Sequence, residues 1–262
     1  MHVDFFVAGV QKSGSTALDA ILRRHPEIEM ADRKELHFFD DESLDWATPD
    51  YARLHAHFRG AASARVRGEA TPIYTYWPNA IERLAAYNRA ARLVVGLRHP
   101  ALRAFSHWRM ESSRAAEDLP FPEAIRAGRK RVATAPGGVH RVYSYVERGF
   151  YARQIERLLI HFPRDQLYFF RTDELWRAPQ RAVSAILSFL GITDMPLVHG
   201  REYIVPQQSK PAEMGRADYE ELRTLFKEDI IRTSALTGIE LGAWLQDDYE
   251  EPMAPTGDER FP

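Results

Sequence analysis

The sequence predicts a three-layer α/β domain, with a central parallel sheet flanked by helices. Three observations predict it. Short apolar, β-rich runs stand at 4–10, 65–68, 93–97 and 167–170. Segments of helical spacing lie between them. A glycine-containing turn joins the first run directly to the first helix. Strands alternating with helices imply βαβ units, and near-continuous apolarity suits strands buried on both faces of a parallel sheet.

Each element has its own warrant. The run at 4–10, DFFVAGV, leads straight into a loop and reads as the first core strand. Residues 16–24 place Ala17, Leu18, Ile21 and Leu22 on one helical face. The segment 78–88 opens on Pro78, where a missing N–H is harmless at a helix start. LVVGL and LYFF are the clearest buried strands. Residues 151–162 carry Ile155, Leu158, Leu159 and Phe162 at helical spacing, and 179–190 repeats the pattern before Gly191. Residues 110–148 are charged and helical, an insertion over one edge. Residues 192–215, rich in Pro, Gln and Gly, form a long segment of the kind that is either functional or disordered. The expected organisation is one domain over 1–246 and a flexible tail over 247–262.

Bulk composition excludes several classes. The chain has 262 residues, 45% hydrophobic content and a formal charge of -2. Near-neutrality speaks against a dedicated nucleic-acid binder. With no cysteine there is no disulfide, thiolate metal site or cysteine nucleophile. No apolar run approaches the ~20 residues that span a bilayer. The start lacks a basic region followed by an adequate apolar one, so no secretory signal or membrane anchor is expected and the cytoplasm is the default compartment. A homodimer is one option for the assembly.

The stretch VAGVQKSGSTALDAIL carries the first chemistry. A triphosphate loop reads G-x-x-x-x-G-K-[ST]. Gly9, Gly14 and Thr16 fit that pattern, but Ser15 stands where the lysine belongs, and the lysine is Lys12. A glycine turn at a helix start still gathers backbone N–H groups and the positive end of the helix dipole. Ser13, Ser15 and Thr16 add hydroxyls and Lys12 a full charge, which makes an anion site. Triphosphate chemistry also needs an acidic metal ligand at a strand end. RLVVGL ends in Arg98-His99-Pro100 instead, and an arginine there repels a metal and attracts a phosphate.

In these motifs the chain resembles the sulfotransferases that use 3′-phosphoadenosine 5′-phosphosulfate (PAPS), closest to the heparan-sulfate-type and bacterial carbohydrate branch. The resemblance rests on four pieces, GVQKSGST, KELHFFD at 34–40, LRHPALRAFSHW at 97–108 and RGFYARQIERLL at 148–159. It implies a P-loop-like fold and transfer from PAPS to a hydroxyl, leaving adenosine 3′,5′-bisphosphate, with no metal required. It further implies that Lys12, Ser13, Gly14, Ser15 and Thr16 hold the 5′-phosphosulfate. Arg98 and Ser106 would hold the 3′-phosphate, with Ser209 and Lys210 as further contacts from a covering loop. Glu35 is the implied base, and Lys12 would stabilise charge on the leaving phosphate.

The residues themselves support that division. A guanidinium forks onto phosphate oxygens. In an extended segment Glu35 and His37 would share one face as two possible bases, and Lys34, Leu36 and Phe38 would take the other. Candidate acceptor contacts are Tyr74, Tyr76, Trp77, His107, Trp108 and Tyr151. The heparan-type pattern carries a lysine between "E" and "TP", whereas this chain has Ala70 there. The expected acceptor is therefore a soluble saccharide or other hydroxylated small metabolite rather than a polyanionic glycan. The alternatives are a P-loop small-molecule kinase, which needs a lysine after Gly14 and an acidic metal ligand, and a catalytically silent nucleotide-binding module.

Overall fold

The structure, a computed structural model, describes residues 2–197 and 214–252. Among these the chain forms two compact units. One takes in residues 2–97, 158–197 and 252, and the other residues 98–157 and 214–251.

The first unit begins with β1 (Phe5–Gly9), α1 (Ser15–Leu22), β2 (Ile28–Met30), a single turn α2 (Ala52–His55), β3 (Val66–Ala70), α3 (Ala80–Tyr87) and β4 (Arg92–Leu97). The second contributes α4 (Pro100–Ser113) and α5 (Phe121–Ala133), and α6 (Ala152–His161) carries the chain back into the first. There follow β5 (Leu167–Arg171), α7 (Thr172–Arg177) and α8 (Pro179–Leu190), and then α9 (Arg216–Thr237) in the second unit. The described strands form one sheet in the order β2-β3-β1-β4-β5, parallel throughout.

Strand β1 is the axis of that sheet. Phe5, Phe6 and Val7 stand opposite Gly68, Glu69 and Ala70 on β3, and opposite Arg92, Leu93 and Val94 on β4. Alternation sends its side chains to two cores. Phe5 and Val7 join Leu18 and Leu22 of α1 and Val183, Ile186 and Leu187 of α8. Phe6 meets Phe39, at 5.6 Å between ring centres, and Phe39 also packs on Tyr74 and Tyr87. The second, aromatic core therefore anchors the segment 34–40 beneath the sheet's carboxyl edge. Arg83 of α3 fastens the same segment by donating to the Phe39 carbonyl at 3.0 Å.

The four expected strands all appear, and β2 is added. It escaped notice because three residues, Ile28–Met30, give too short a run for alternation to register. The expected insertion resolves into α4 and α5, with α4 starting at Pro100 rather than at 110. Part of the expected tail is packed: Asp247 pairs with Arg223 at 2.6 Å and Tyr249 stacks on His99. No described helix is long and apolar enough to cross a membrane.

The turn after β1 depends on close packing. Val10 N–H donates to Gly96 O at 2.8 Å, seating the loop on β4. A Cβ on Gly96 would lie 2.7 Å from the Phe170 ring and 3.0 Å from Ser13 O. Both neighbours are buried and cannot step aside cheaply. Gly96→Ala is therefore expected to destabilise the fold by about 1–3 kcal/mol, the usual cost of overpacking. Urea titrations of the two proteins measure it, and an unchanged midpoint would mean that the loop and β5 have slack.

Candidate active site

The loop at 10–14 has the form of an anion cradle. Lys12 and Gly14 both take left-handed backbone, φ 74° and 82°. At Gly14 this favours glycine, since a side chain there would be strained and would press on Leu175 at 3.2 Å. Gly14 is the N-cap of α1, and no side chain caps that helix. Its first-turn amides are thus left for another acceptor. Ser15 is buried at the helix start and Thr16 is exposed. Ser13 is buried, and its hydroxyl donates to Val10 O at 2.5 Å, so it braces the turn rather than offering its proton outward.

The segment 34–40 brings three ionisable side chains into line. Glu35 Oε2 lies 3.2 Å from His37 Nε2, and His37 Nδ1 lies 2.9 Å from Asp40 Oδ2. Lys34 Nζ donates to Glu35 Oε1 at 2.9 Å. Glu35 and His37 do meet, but not through strand alternation. The segment is no strand, and His37 takes positive φ, 56°. Lys34 also reaches Glu35, which alternation would have kept apart. Asp40 is fully buried. It lay within KELHFFD, three residues past His37, and its spacing was the signal that went unread.

The line is strongly polarised. Hydrogen bonding to Asp40, and then to Glu35, raises His37 to about 9. Burial pushes the Glu35 carboxyl up, but hydrogen bonds from His37 and the nearby Lys34 ammonium outweigh it and hold Glu35 at about 2. At neutral pH Glu35 is a carboxylate and His37 an imidazolium, with the Asp40 carboxyl on the ring's other nitrogen. A cavity of about 80 Å³ opens beside it, lined by His37, Leu36, Phe38, Arg33, Arg53 and His57 among others.

Backbone groups of this segment rest on the turn after β3. Leu36 N–H donates to Glu69 Oε1 at 3.3 Å, His37 N–H to Thr71 Oγ1 at 3.4 Å, and Phe38 N–H to Tyr74 Oη at 3.2 Å. Glu69 was also missed by the sequence reading, since the Leu36 amide it accepts lies 33 positions away in the chain.

In the second unit, Arg98 follows directly on β4. Its Nε donates to both Glu251 carboxylate oxygens at 2.8 and 2.9 Å, and its Nη2 to Oε2 at 2.5 Å. Ser106, half-buried, lies two turns along α4. His99 caps α4 through Nδ1, which accepts from Ala101 N–H at 3.3 Å, so Nε2 carries the proton and donates to Trp244 O at 3.1 Å. The ring is stacked between Tyr219 and Tyr249, with centres 5.2 and 5.3 Å away. Burial above all pushes His99 down to about 4.

The aromatic acceptor candidates fare differently. Tyr74, Tyr76, His107 and Tyr151 are buried, which leaves them no surface to offer a sugar. Tyr74 belongs to the Phe39 core, Tyr151 Oη donates to Arg98 O at 2.7 Å, and His107 lies 3.5 Å from Glu111. Trp77 donates to Glu42 and Trp108 to Leu119 O. Ser209 and Lys210 fall outside the described residues.

Comparison with known proteins adds the relatives. The sulfotransferase-domain family matches residues 2–221. Human heparan sulfate glucosamine 3-O-sulfotransferase 3B1 is 30% identical over 189 residues, 71% of this chain and 45% of its own. The bifunctional heparan sulfate N-deacetylase/N-sulfotransferase 1 of Caenorhabditis elegans is 27% identical over 207 residues, 74% of this chain and 22% of its own. The chain thus spans less than half the length of these curated relatives. A solved sulfotransferase from Alicyclobacillus acidocaldarius superposes with a TM-score of 0.80 at 28% identity, over 94% of this chain and all of that one.

The charge row makes a prediction about pH. A histidine whose folded pKa lies above its unfolded value near 6.5 stabilises the fold fully below that value, and loses the contribution as pH rises through the folded one. His37 should therefore contribute stability that fades between about pH 6.5 and 9. Denaturant midpoints at pH 6 and 9.5 for the wild type and His37→Asn check this. The gap between the two proteins should narrow at the higher pH, and a constant gap would show that the imidazole is not charged between its carboxylates.

Proposed function

Because the chain belongs to the sulfotransferase-domain family, we propose that it moves a sulfuryl group from PAPS to a hydroxyl of a saccharide or other hydroxylated small metabolite. The observation that carries this reading is the hydrogen-bonded row Glu35–His37–Asp40, in the same unit as the glycine loop and standing on the motif that resembles the family's catalytic segment. PAPS supplies an activated sulfuryl group on a phosphate leaving group, together with a separate 3′-phosphate that serves as a handle.

Two features fit that donor. The uncapped start of α1 suits a 5′-phosphosulfate. Arg98 already forks onto a carboxylate, and the same fork suits phosphate oxygens. Lys12 and the loop amides would stabilise the charge that gathers on the leaving phosphate as its bond to sulfur breaks. Glu35 would take the acceptor's proton as the new oxygen–sulfur bond forms. A carboxylate with a pKa of about 2 is a weak base. It suffices here because a hydroxyl proton becomes strongly acidic once its oxygen bonds to sulfur. The reading supposes late proton transfer, with Lys34 and His37 fixing both Glu35 oxygens toward the acceptor. Ala70 and the small cavity beside His37 favour a compact acceptor.

Incubation with PAPS and a panel of hydroxylated acceptors, read by the mass gain of one SO3, tests the proposal directly. Glu35→Gln should cut turnover by ~10²–10⁴-fold, the usual worth of a general base, and leave the affinity for adenosine 3′,5′-bisphosphate near wild type. Turnover above half of wild type, with His37→Ala inactive, would transfer the role of base to His37. Arg98→Ala should weaken that nucleotide by about 10- to 150-fold, since charge-assisted hydrogen bonds contribute roughly 1.5–3 kcal/mol. Glu251→Gln should instead tighten it, by removing a competing carboxylate. Equal affinities across the three proteins would place the 3′-phosphate away from Arg98.

A further inference from the structure

Glu69 is a buried carboxyl with an unusual set of neighbours. It sits near the end of β3 with no exposed surface. Its Oε1 accepts the Leu36 N–H at 3.3 Å and the Thr71 hydroxyl, and Thr71 Oγ1 in turn accepts the His37 N–H at 3.4 Å. The two amides that follow Glu35 are thus gathered, directly and through one hydroxyl, on a single oxygen. The other oxygen, Oε2, is buried and has no hydrogen-bond partner among the described residues. A buried polar atom without a partner calls for a cause, and a buried charge without one is costly.

The surroundings make that charge costlier. Glu35 and Asp40 both act on Glu69 as like charges, and the Tyr74 phenol is a further titratable neighbour. His37 stands between Glu35 and Asp40 and is engaged by them. On β1 the register partner is Phe6, which has no charge to offer. Neutralising Glu69 relieves both costs, and the oxygen that holds Leu36 still accepts.

We propose that Glu69 is a positioning residue that holds the Glu35–His37–Asp40 segment in working geometry in its neutral form, and that losing its proton loosens that grip. The proposal rests on the reading of Glu35 as the base, since what Glu69 fixes is the backbone after Glu35. Burial, opposed by the bonds from Thr71 and Leu36, pushes the Glu69 carboxyl up to about 7, so the change falls within the physiological range. As pH rises through that value a third carboxylate develops beside Glu35 and Asp40, and the segment bearing them is driven off the β3 turn.

Three measurements test this on the full chain. Glu69→Gln keeps the shape and an acceptor but cannot ionise. Wild-type kcat at saturating PAPS should fall as pH rises with a midpoint near 7. The Gln variant should lose that limb while matching the wild type to within about twofold at pH 6. A residue with only a structural role would leave the two profiles parallel, and parallel profiles overturn the proposal. Second, a carboxyl whose folded pKa is raised stabilises the fold most below its unfolded value near 4.3, and loses that contribution as pH rises through the folded value. The Gln variant should therefore gain in denaturant midpoint over the wild type between pH 5 and 8. Third, carbon-13 spectra of glutamate-labelled protein should show one carboxyl titrating near 7 that is absent from the variant. A Glu69 carboxyl that titrates below 5 overturns the proposal. If no acceptor is sulfated at any pH, the functional reading fails, while the stability and spectral results still decide the state of Glu69.

Discussion

Backbone hydrogen bonding along both edges of β1 sets the terms for the rest of the first unit. Because β3 and β4 both pair with it in parallel, three strands deliver their carboxyl ends to one side of the sheet. That is where ligands enter open α/β folds, since the connections leave the sheet there. The anion loop leaves from β1 and the Glu69–Thr71 turn from β3. Alternation along β1 also ties the two cores together. A change at Phe5 or Val7 is felt by α1 and α8, and a change at Phe6 is felt by Phe39 and the segment that carries Glu35. The geometry of that segment and the stability of the fold are therefore not separable at this strand.

The same edge concentrates carboxylates, and each is accommodated by different means. Glu35 stays ionised because Lys34 and His37 bond to it. Asp40 has the imidazole of His37. Glu69 has amide and hydroxyl donors, and burial raises its pKa. Pairs of acids whose environments push them apart in pKa mark sites where protons are handled.

Much of this was legible in the sequence. Continuous apolar runs are hard to mistake when a strand is buried on both faces, so β1, β4 and β5 were readable. The loop was readable because Gly9, Gly14 and Thr16 fall in a fixed pattern. Short elements escaped: β2 is below the length at which periodicity exists. Among the aromatic acceptor candidates, Tyr74 and Tyr151 are buried, and composition alone does not separate a ring in a core from one on a binding surface. Glu69 and Glu251 escaped for a shared reason. A carboxylate's role depends on what lies across from it in space, and Glu251 meets Arg98 over 153 positions of chain.

The stacking of His99 between Tyr219 and Tyr249 bears on how a nucleotide would be sensed. These rings fasten the stretch that ends in Glu251, so they hold the competing carboxylate near Arg98. A histidine in such a place would ordinarily make the fastening respond to small changes of acidity. Here burial keeps the ring uncharged down to about pH 4, and its tautomer is fixed by Ala101 on one side and Trp244 on the other. The clasp is thus indifferent to acidity across the physiological range. A phosphate monoester gives up its second proton near pH ~6. Any pH dependence of anion capture at Arg98 around neutrality would then report the charge of the incoming phosphate rather than that of His99.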